Sequence, residues 1–547
     1  MAAANAMVSG RPDITFRSIP RMARMNAARF GSRRAVVDQD AVLSFADVNT
    51  EMLRVSAALI AGGVEPGDRV AVWAPNSAGW MVAALGILAT GAWLVPVNTR
   101  YRGAEASYIL AKTDARTLFT TDPFLGTDYR QMLREAAPDL RALSDVVILP
   151  PSGRYGGTTW ERFLERGRDV PASAVQDRLD AISPDDVSDV IFTSGTTGTP
   201  KGVMLRHGAS LRGFGVSYNN AFQLGEGDRH LVATPFSHCF GYKAGWMLSL
   251  LMGATTYPVA TFDAGKALRL IDHERITHMP GAPTHFFALL DHPDRERHDL
   301  SSLRRVLLAA SIVPPELVHR LRDEIGLKGI VGGYGLTENH ATGTMSDPGD
   351  PVDIVATTVG KPVDGIEVKI VDEANQELVQ GQAGEILLRG YAHMTGYFDD
   401  AAATAEAFVD GWLRTGDIGL VDERGYVRVT DRKKDIYIMG GFNVSPAEVE
   451  NLLLKFPKIE QVAVVGVPDQ RFGQVGMAFV IPRPGLTVTA EEVIEYAREH
   501  IANYKVPRRV EIVSSFPLNA TGKVLKTELR QLATRVAAGT SVARADG

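Results

Sequence analysis

The sequence predicts an α/β fold: a large N-terminal domain of several sheets, joined by a hinge to a small α+β C-terminal domain. Three observations predict it. Apolar strand segments alternate with helical segments in residues 20–338, which is typical of layered α/β subdomains with a largely parallel sheet. Short alternating strands separated by glycine turns follow in residues 359–433 and indicate a β-rich subdomain. A run of charges at 431–435 then precedes a smaller α+β segment, so we predict domains at 1–433 and 434–547.

The bulk composition is that of a globular protein, and we expect it in the cytoplasm. A chain of 547 residues is too long for one hydrophobic core, and 45% apolar with 22% charged residues is ordinary for such proteins. The net charge of -6 argues against a general nucleic-acid binder. The single cysteine, Cys239, excludes an internal disulfide, and the twelve histidines lack metal-type spacing.

One charge-free run, between Arg69 and Arg100, is long enough to span a bilayer. Pro75 breaks it early, and Gly91 and Pro96 break it late. We therefore predict a buried unit of strand 70–73, helix 78–89 and strand 92–95, and no membrane span.

The other elements follow from apolar periodicity and from glycine and proline punctuation. Residues 150–169, rich in glycine, proline and charge, are predicted to be a surface excursion. We predict helices at 20–30, 46–61, 104–111, 446–454 and 490–500, with another from Pro314, and strands at 35–37, 42–45, 117–120, 145–149, 305–309, 329–334, 367–371, 385–389, 426–430, 462–467, 477–482 and 509–513.

A phosphate loop is predicted where strand 190–192 enters residues 193–202, a run of hydroxyls and glycines that holds Lys201. Glycine lets the backbone approach an anion closely, and free N–H groups and hydroxyls donate hydrogen bonds to it. Pro200 stands where a Walker A loop needs its second glycine, so this is a phosphate cradle of another kind.

Five polar stretches occur in order at 193–202, 333–338, 412–417, 431–435 and 519–523. Their residue types and order resemble the adenylate-forming superfamily of acyl-CoA synthetases, peptide-synthetase adenylation domains and luciferases. The resemblance covers residues 20 to 535 and is closest to actinobacterial synthetases for the ring-derived propanoate of sterol breakdown. It implies that ATP and Mg²⁺ are used, with CoA as the acyl acceptor.

The resemblance also implies roles for residues at the nucleotide. The loop that wraps the β- and γ-phosphates is matched by Thr193, Ser194, Gly195, Thr196, Thr197, Gly198 and Lys201. Tyr334 matches the aromatic residue that packs on adenine, and Ser311 and Gly333 are expected beside it. Asp417 matches the acceptor of both ribose hydroxyls, and Arg432 matches an arginine near the ribose and phosphates.

The chemical step is expected to depend on four residues. Thr337 matches a hydroxyl at the α-phosphate, and Glu338 matches the carboxylate that holds Mg²⁺. Lys434 matches the hinge about which the small domain rotates, and Lys523 matches the cation between the substrate anion and the α-phosphate. The substrate oxyanion then attacks the α-phosphorus, pyrophosphate leaves, and no covalent nucleophile from the protein is needed.

The substrate pocket is predicted in residues 235–245, with His238 as a gate and with Phe240 and Gly241 along the wall. Lys243 either reaches water or pairs with a polar group of the substrate. Asn339 and His340 stand where related synthetases have small residues, so they are expected to make the pocket floor narrow and polar. This favours a compact, polar or ring-bearing acid over a long fatty acid.

Two activities fit these residues. The first is a CoA ligase for a small-molecule carboxylic acid. The second is an ATP-dependent diazotase, which resembles the same synthetases and activates nitrite to diazotise an aryl amine without CoA. A non-enzymatic binding protein is disfavoured because Lys523 and Glu338 are both present. The sequence leaves a homodimer open.

Overall fold

The computed structural model describes residues 16–39, 41–137, 140, 143–150, 158–193, 200–309, 313–432, 435–439, 442–469, 472–501, 503–518 and 523–537. The chain consists of two compact units, residues 1–367 with 388–413 and residues 368–387 with 414–547. The predicted hinge at Lys434 lies outside the described residues, and the domain limits at 433 and 434 remain a prediction.

The described part of the chain contains the following strands: β1 (Arg34–Asp38), β2 (Ala41–Ser44), β3 (Arg69–Trp73), β4 (Trp93–Pro96), β5 (Thr117–Thr120), β6 (Asp145–Ile148), β7 (Val187–Thr193), β8 (Lys201–Arg206), β9 (Arg229–Val232), β10 (Thr255–Pro258), β11 (His278–Gly281), β12 (Arg305–Leu308), β13 (Gly329–Tyr334), β14 (Thr344–Met345), β15 (Lys361–Pro362), β16 (Ile366–Val371), β17 (Gly384–Gly390), β18 (Gly396–Tyr397), β19 (Phe408–Val409), β20 (Trp412–Val421), β21 (Val427–Arg432), β22 (Tyr437–Met439), β23 (Phe442–Val444), β24 (Ile459–Asp469), β25 (Gly473–Pro482) and β26 (Arg509–Ile512).

The α-helices of the described residues are α1 (Ile19–Phe30), α2 (Phe45–Ala61), α3 (Ala78–Ala89), α4 (Gly103–Thr113), α5 (Tyr129–Ala136), α6 (Trp160–Glu165), α7 (Ala172–Ala181), α8 (His207–Arg212), α9 (Asn219–Phe222), α10 (Leu248–Met252), α11 (Ala264–His273), α12 (Pro283–Leu290), α13 (Pro315–Ile325), α14 (Val352–Thr357), α15 (Ala401–Glu406), α16 (Pro446–Leu453), α17 (Ala490–His500) and α18 (Lys526–Ala537). The same residues also contain two π-helical segments, Gly213–Tyr218 and Phe240–Met247, and two 3₁₀ turns, Arg295–Arg297 and Thr337–Asn339.

Two sheets organise the first unit. A seven-stranded sheet has the order β18-β8-β7-β4-β3-β5-β6, with β7 to β6 parallel and with β8 and β18 added antiparallel at one edge. A nine-stranded sheet has the order β15-β14-β13-β12-β11-β9-β10-β1-β2 and is parallel from β13 to β1. The predicted layered α/β architecture is confirmed.

Two five-stranded sheets complete the fold. The sheet of β16, β17, β19, β20 and β21 corresponds to the predicted β-rich subdomain. In the second unit, β22 to β26 form a sheet with the order β23-β22-β25-β24, and β26 pairs with β25 in parallel. Helices α16 and α18 contribute Val449, Leu453 and Leu529 to its core, so the small α+β segment is confirmed.

The charge-free run forms the predicted β3-α3-β4 unit. Every residue of α3 is buried, and β3 and β4 pair in parallel. No helix in the described ranges is long and apolar enough to cross a membrane.

Three elements differ from the prediction. Residues 160–165 form α6, because Trp160, Phe163 and Leu164 share one helical face and are buried. The phosphate loop is followed directly by a strand, β8, which begins at Lys201, where only a loop was expected. The π-helical segments were not foreseen, since a single extra residue per turn leaves no clear periodicity in the sequence.

Candidate active site

The phosphate loop is a connection between two paired strands. Thr193 ends β7 and lies opposite Lys201, the first residue of β8, and its Oγ1 is 3.5 Å from the Lys201 carbonyl oxygen, to which it donates. Antiparallel pairing therefore holds both ends of the loop at one edge of the sheet. Residues 194–198 and Ser311 lie outside the described residues, so their contacts with phosphate remain predictions.

Glu338 lies in the 3₁₀ turn that follows β13 and is half-buried. The Tyr397 hydroxyl donates a hydrogen bond to Glu338 Oε1 at 3.0 Å, and the Met394 N–H donates to the Glu338 carbonyl at 2.7 Å. Burial, followed by the nearby Glu338, raises the pKa of Tyr397 well above its usual range, so the phenol keeps its proton as a donor. Tyr397 was not predicted, because nothing in its sequence context points to Glu338.

Gly333, Tyr334 and Thr337 stand immediately before Glu338. Gly333 and Tyr334 end β13 and pair with Met345 and Thr344 on β14. Strand β13 and the 3₁₀ turn after it therefore place the residues predicted to contact adenine, the α-phosphate and Mg²⁺ along one short stretch. Their partly exposed positions suit ligand contact.

Asn339 and His340 do not form a polar pocket floor, which corrects the prediction. Asn339 Oδ1 accepts from the Leu336 N–H at 2.8 Å, and its Nδ2 donates to the Thr342 carbonyl at 3.0 Å. His340 is fully buried, accepts from the Arg206 N–H at Nε2 and donates from Nδ1 to the Ala392 carbonyl. The Asn339 side chain closes the turn, whereas His340, whose φ is 55°, links the turn to the backbone of Arg206 and Ala392.

The predicted pocket stretch becomes the π-helical segment Phe240–Met247, with a break at Gly245. Phe240 is partly exposed, whereas Gly241 is buried where a Cβ would lie 2.1 Å from the Pro235 carbonyl oxygen. Only glycine permits this approach of the two backbones. Tyr242 and Trp246 of this segment pack with Trp80, and the stacked rings of Tyr242 and Trp246 have centroids 4.8 Å apart.

His238 is held as a neutral imidazole. Asn98 Nδ2 donates to His238 Nε2, and the amide orientation is set because Asn98 Oδ1 accepts from the Arg100 N–H. The ring proton is therefore on Nδ1. Burial, followed by the charge of Arg100, lowers the pKa of His238 to about 4, so it carries no charge at neutral pH.

Lys243 pairs within the protein, so both predicted alternatives, reaching water and pairing with the substrate, are wrong. Its Nζ lies 2.5 Å from Asp189 Oδ2, and both side chains are 0% exposed. Ser188 Oγ donates to the same oxygen at 2.6 Å. Asp189 lies on β7, so the pair joins the strand of the phosphate loop to the pocket segment.

Cys239 is buried beside this pair. Burial raises the pKa of its thiol to about 12. The thiol is therefore protonated at neutral pH, which agrees with the prediction that it is no nucleophile.

The residues predicted to bind the ribose belong to the second unit. Asp417 is buried in β20, where it lies opposite Arg432 of β21 in the strand pairing. The two predicted ribose-side residues therefore stand side by side on neighbouring strands.

Lys523 also belongs to the second unit and is exposed. It directly precedes Val524, which forms an isolated antiparallel bridge with Leu518. The bridge fixes the backbone next to the lysine. Lys434 lies outside the described residues, so the hinge remains a prediction.

Buried histidines predict acid sensitivity. Burial, followed by the charge of Lys243, lowers the pKa of both His207 and His340 to about 3, and burial, followed by His278, lowers the pKa of His230 well below its usual range. In the unfolded chain these groups take up protons below about pH 6.5, so stability falls as pH falls from 6.5. We expect the unfolding free energy to decrease between pH 7 and 5, with on the order of two to three protons taken up on unfolding at pH 5.5. A flat dependence of the urea midpoint over this range would contradict the neutral burial of these side chains.

Comparisons with known proteins agree with this geometry. Residues 23–398 match the AMP-binding enzyme family and residues 448–523 match the AMP-binding enzyme C-terminal domain. The chain belongs to the AMP-binding family of adenylate-forming enzymes and is a ligase of its AMP-forming acyl-CoA ligase branch.

Two relatives are 3-[(3aS,4S,7aS)-7a-methyl-1,5-dioxo-octahydro-1H-inden-4-yl]propanoyl:CoA ligases. The protein from Rhodococcus jostii is 44% identical over 94% of this chain and 98% of its own. The protein from Mycobacterium tuberculosis is 46% identical over 94% of this chain and 99% of its own. The crystal structure of the anthranilate CoA ligase AuaEII with anthranoyl-AMP is similar to this protein, with a TM-score of 0.86 and 28% identity. The match covers 97% of this chain and 100% of the ligase chain.

Proposed function

We propose that this enzyme activates a compact, ring-bearing carboxylic acid of the bicyclic keto-propanoate type and transfers the acyl group to CoA. The observation that carries the proposal is the similarity, along nearly the whole chain, to two ligases whose names specify such an acid. Asn339 and His340, which form hydrogen bonds within the fold instead of a polar floor, contribute nothing to this argument.

In the first step an oxygen of the substrate carboxylate attacks the α-phosphorus of ATP, and the bond to the bridging oxygen of pyrophosphate breaks. Two anions must approach each other, so preorganised charge and hydrogen-bond donors contribute most to catalysis. We assign Lys201 to the outer phosphates, Thr337 to the α-phosphate and Lys523 to the charge that develops between substrate and phosphate. Tyr334 packs on adenine, and Asp417 and Arg432 bind the ribose side.

Mg²⁺ fits the residues at Glu338. The described residues contain no cluster of three histidine, cysteine or acidic side chains that would form an all-protein metal site. A magnesium ion on a nucleotide needs few protein ligands, because phosphate oxygens and water supply the others. When bound, the ion neutralises phosphate charge, while Glu338 holds it through a carboxylate oxygen.

In the second step the CoA thiol attacks the acyl carbonyl, AMP leaves with the phosphate oxygen, and the thiol proton passes to solvent. His238 is neutral and keeps Nδ1–H as a donor, so it suits orientation of the acyl group better than binding of a charge. The nitrite alternative depended on Asn339, His340 and Lys243 facing a small anion. All three are used within the fold, and nothing in the relatives named above favours that alternative.

The substrate class is tested by a panel of acids with MgATP and CoA: the dioxo-octahydroindenyl propanoate, anthranilate, and a straight-chain acid of equal carbon number. We expect kcat/KM for the bicyclic acid to exceed that for the straight-chain acid by about tenfold or more, because ring contacts are lost with the flexible chain. A preference for the straight-chain acid would contradict the proposed substrate class without touching the ligase chemistry.

A further inference from the structure

The segment from Met394 to Phe398 is attached to two parts of the nucleotide site at once. Its Tyr397 pairs with Val203 of β8, and the Phe398 N–H donates to the Gly202 carbonyl at 2.7 Å. At its other end the Met394 N–H donates to the Glu338 carbonyl at 2.7 Å. The segment therefore ties the strand that leaves the phosphate loop to the turn that carries Glu338.

The side chain of Tyr397 repeats this connection. Its hydroxyl donates to Glu338 Oε1 at 3.0 Å, and its ring centroid lies 5.0 Å from Lys201 Nζ. A hydrogen bond to a carboxylate is stronger than one between neutral groups and restricts the rotation of the acid. The ring adds a cation–π contact to a lysine whose position matters for phosphate binding.

We propose that Tyr397 is a positioning residue for adenylate formation, which orients the Glu338 carboxylate toward the metal–nucleotide complex and places Lys201 beside it. The proposal rests on the metal-binding role proposed for Glu338. Preorganisation of this kind lowers the entropy lost when the nucleotide binds and when charge develops on its phosphates.

Tyr397→Phe removes the hydroxyl and keeps the ring. Tyr391→Phe is the matched control, because Tyr391 lies six residues earlier and its hydroxyl contacts Ser217 at 3.2 Å, not Glu338. The probe is α,β-methylene-ATP, which cannot release pyrophosphate, titrated by calorimetry with Mg²⁺ and again with EDTA. Thermal unfolding of each variant establishes that it folds.

We expect Tyr397→Phe to weaken binding of the magnesium complex by about tenfold or more, the effect of one hydrogen bond to a charged group. Binding in EDTA and the KM for the acid should be unchanged. Pyrophosphate exchange should fall by a similar factor and recover partly at high Mg²⁺. Tyr397→Leu, which also removes the ring, should lose more, through the contact with Lys201.

Glu338→Gln separates the two proposals. If Tyr397 acts through Glu338, the double variant Tyr397→Phe/Glu338→Gln should bind the magnesium complex no more weakly than Glu338→Gln alone. A Tyr397→Phe variant that matches Tyr391→Phe while Glu338→Gln is impaired would overturn the role of Tyr397 only. A Glu338→Gln variant with normal magnesium dependence would overturn the role of Glu338, and with it this inference.

Discussion

Replacement of Lys523 by alanine is expected to reduce the rate of adenylate formation by about a hundredfold or more. The reason is electrostatic. The carboxylate and the α-phosphate carry like charges, and the proposed lysine cation mainly stabilises the transition state in which they meet. Acid-dependent exchange of pyrophosphate into ATP measures this step directly. Lys455→Ala is a suitable control, since Lys455 is another exposed lysine of the same unit.

The second step gives an internal comparison for the same variant. Supplied with chemically prepared acyl-adenylate and CoA, Lys523→Ala should form thioester at a rate much closer to that of the unchanged enzyme, because no carboxylate anion then has to approach the α-phosphate. Equal losses in both steps would indicate a general structural role. Exchange that survives intact would remove Lys523 from the catalytic residues.

Replacement of Asp189 by alanine is expected to lower the free energy of unfolding by about 3–5 kcal/mol, the usual cost of leaving a buried charge unpaired. Lys243 and Asp189 are both fully buried, so neither can regain solvent without movement of β7 or the pocket segment. We expect the loss in urea or thermal unfolding and, because β7 leads into the phosphate loop, weaker ATP binding as well.

A double variant distinguishes the effect of an unpaired buried charge from the effect of altered packing at the site. Asp189→Leu with Lys243→Met replaces the ion pair by apolar groups and should recover most of the lost stability. The exposed pair of Glu367 and Arg389 provides the contrast, since Glu367→Ala should cost about 0–1 kcal/mol. An Asp189→Ala variant that loses no more unfolding free energy than Glu367→Ala would contradict the buried ion pair of Lys243.

Elements with a strong local pattern could be predicted from the sequence. The β3-α3-β4 unit followed from glycine and proline breaks in an apolar run, and the helix ends agree with the prediction. The nucleotide motifs were assigned from their resemblance to the adenylate-forming superfamily, and the roles of their residues remain predictions. Strand β8 was missed because the motif was interpreted as a loop, although Val203, Met204 and Leu205 follow its lysine.

Contacts between distant residues could not be predicted. Lys243 and Asp189 are 54 positions apart, and no local rule pairs them. Tyr397 and Glu338 are 59 apart, and a tyrosine after glycine is equally typical of a core strand. Asn339 and His340 were assigned to the pocket because they are polar where related synthetases have small residues, whereas both side chains form hydrogen bonds within the fold.

The ligase chemistry is tested most directly by measuring AMP and acyl-CoA together in one time course with MgATP, CoA and the bicyclic keto-propanoate. We predict one AMP for each thioester formed, and, without CoA, no AMP release beyond slow loss from bound acyl-adenylate. AMP formed at the same rate with and without CoA, and without thioester, would contradict the proposed ligase reaction.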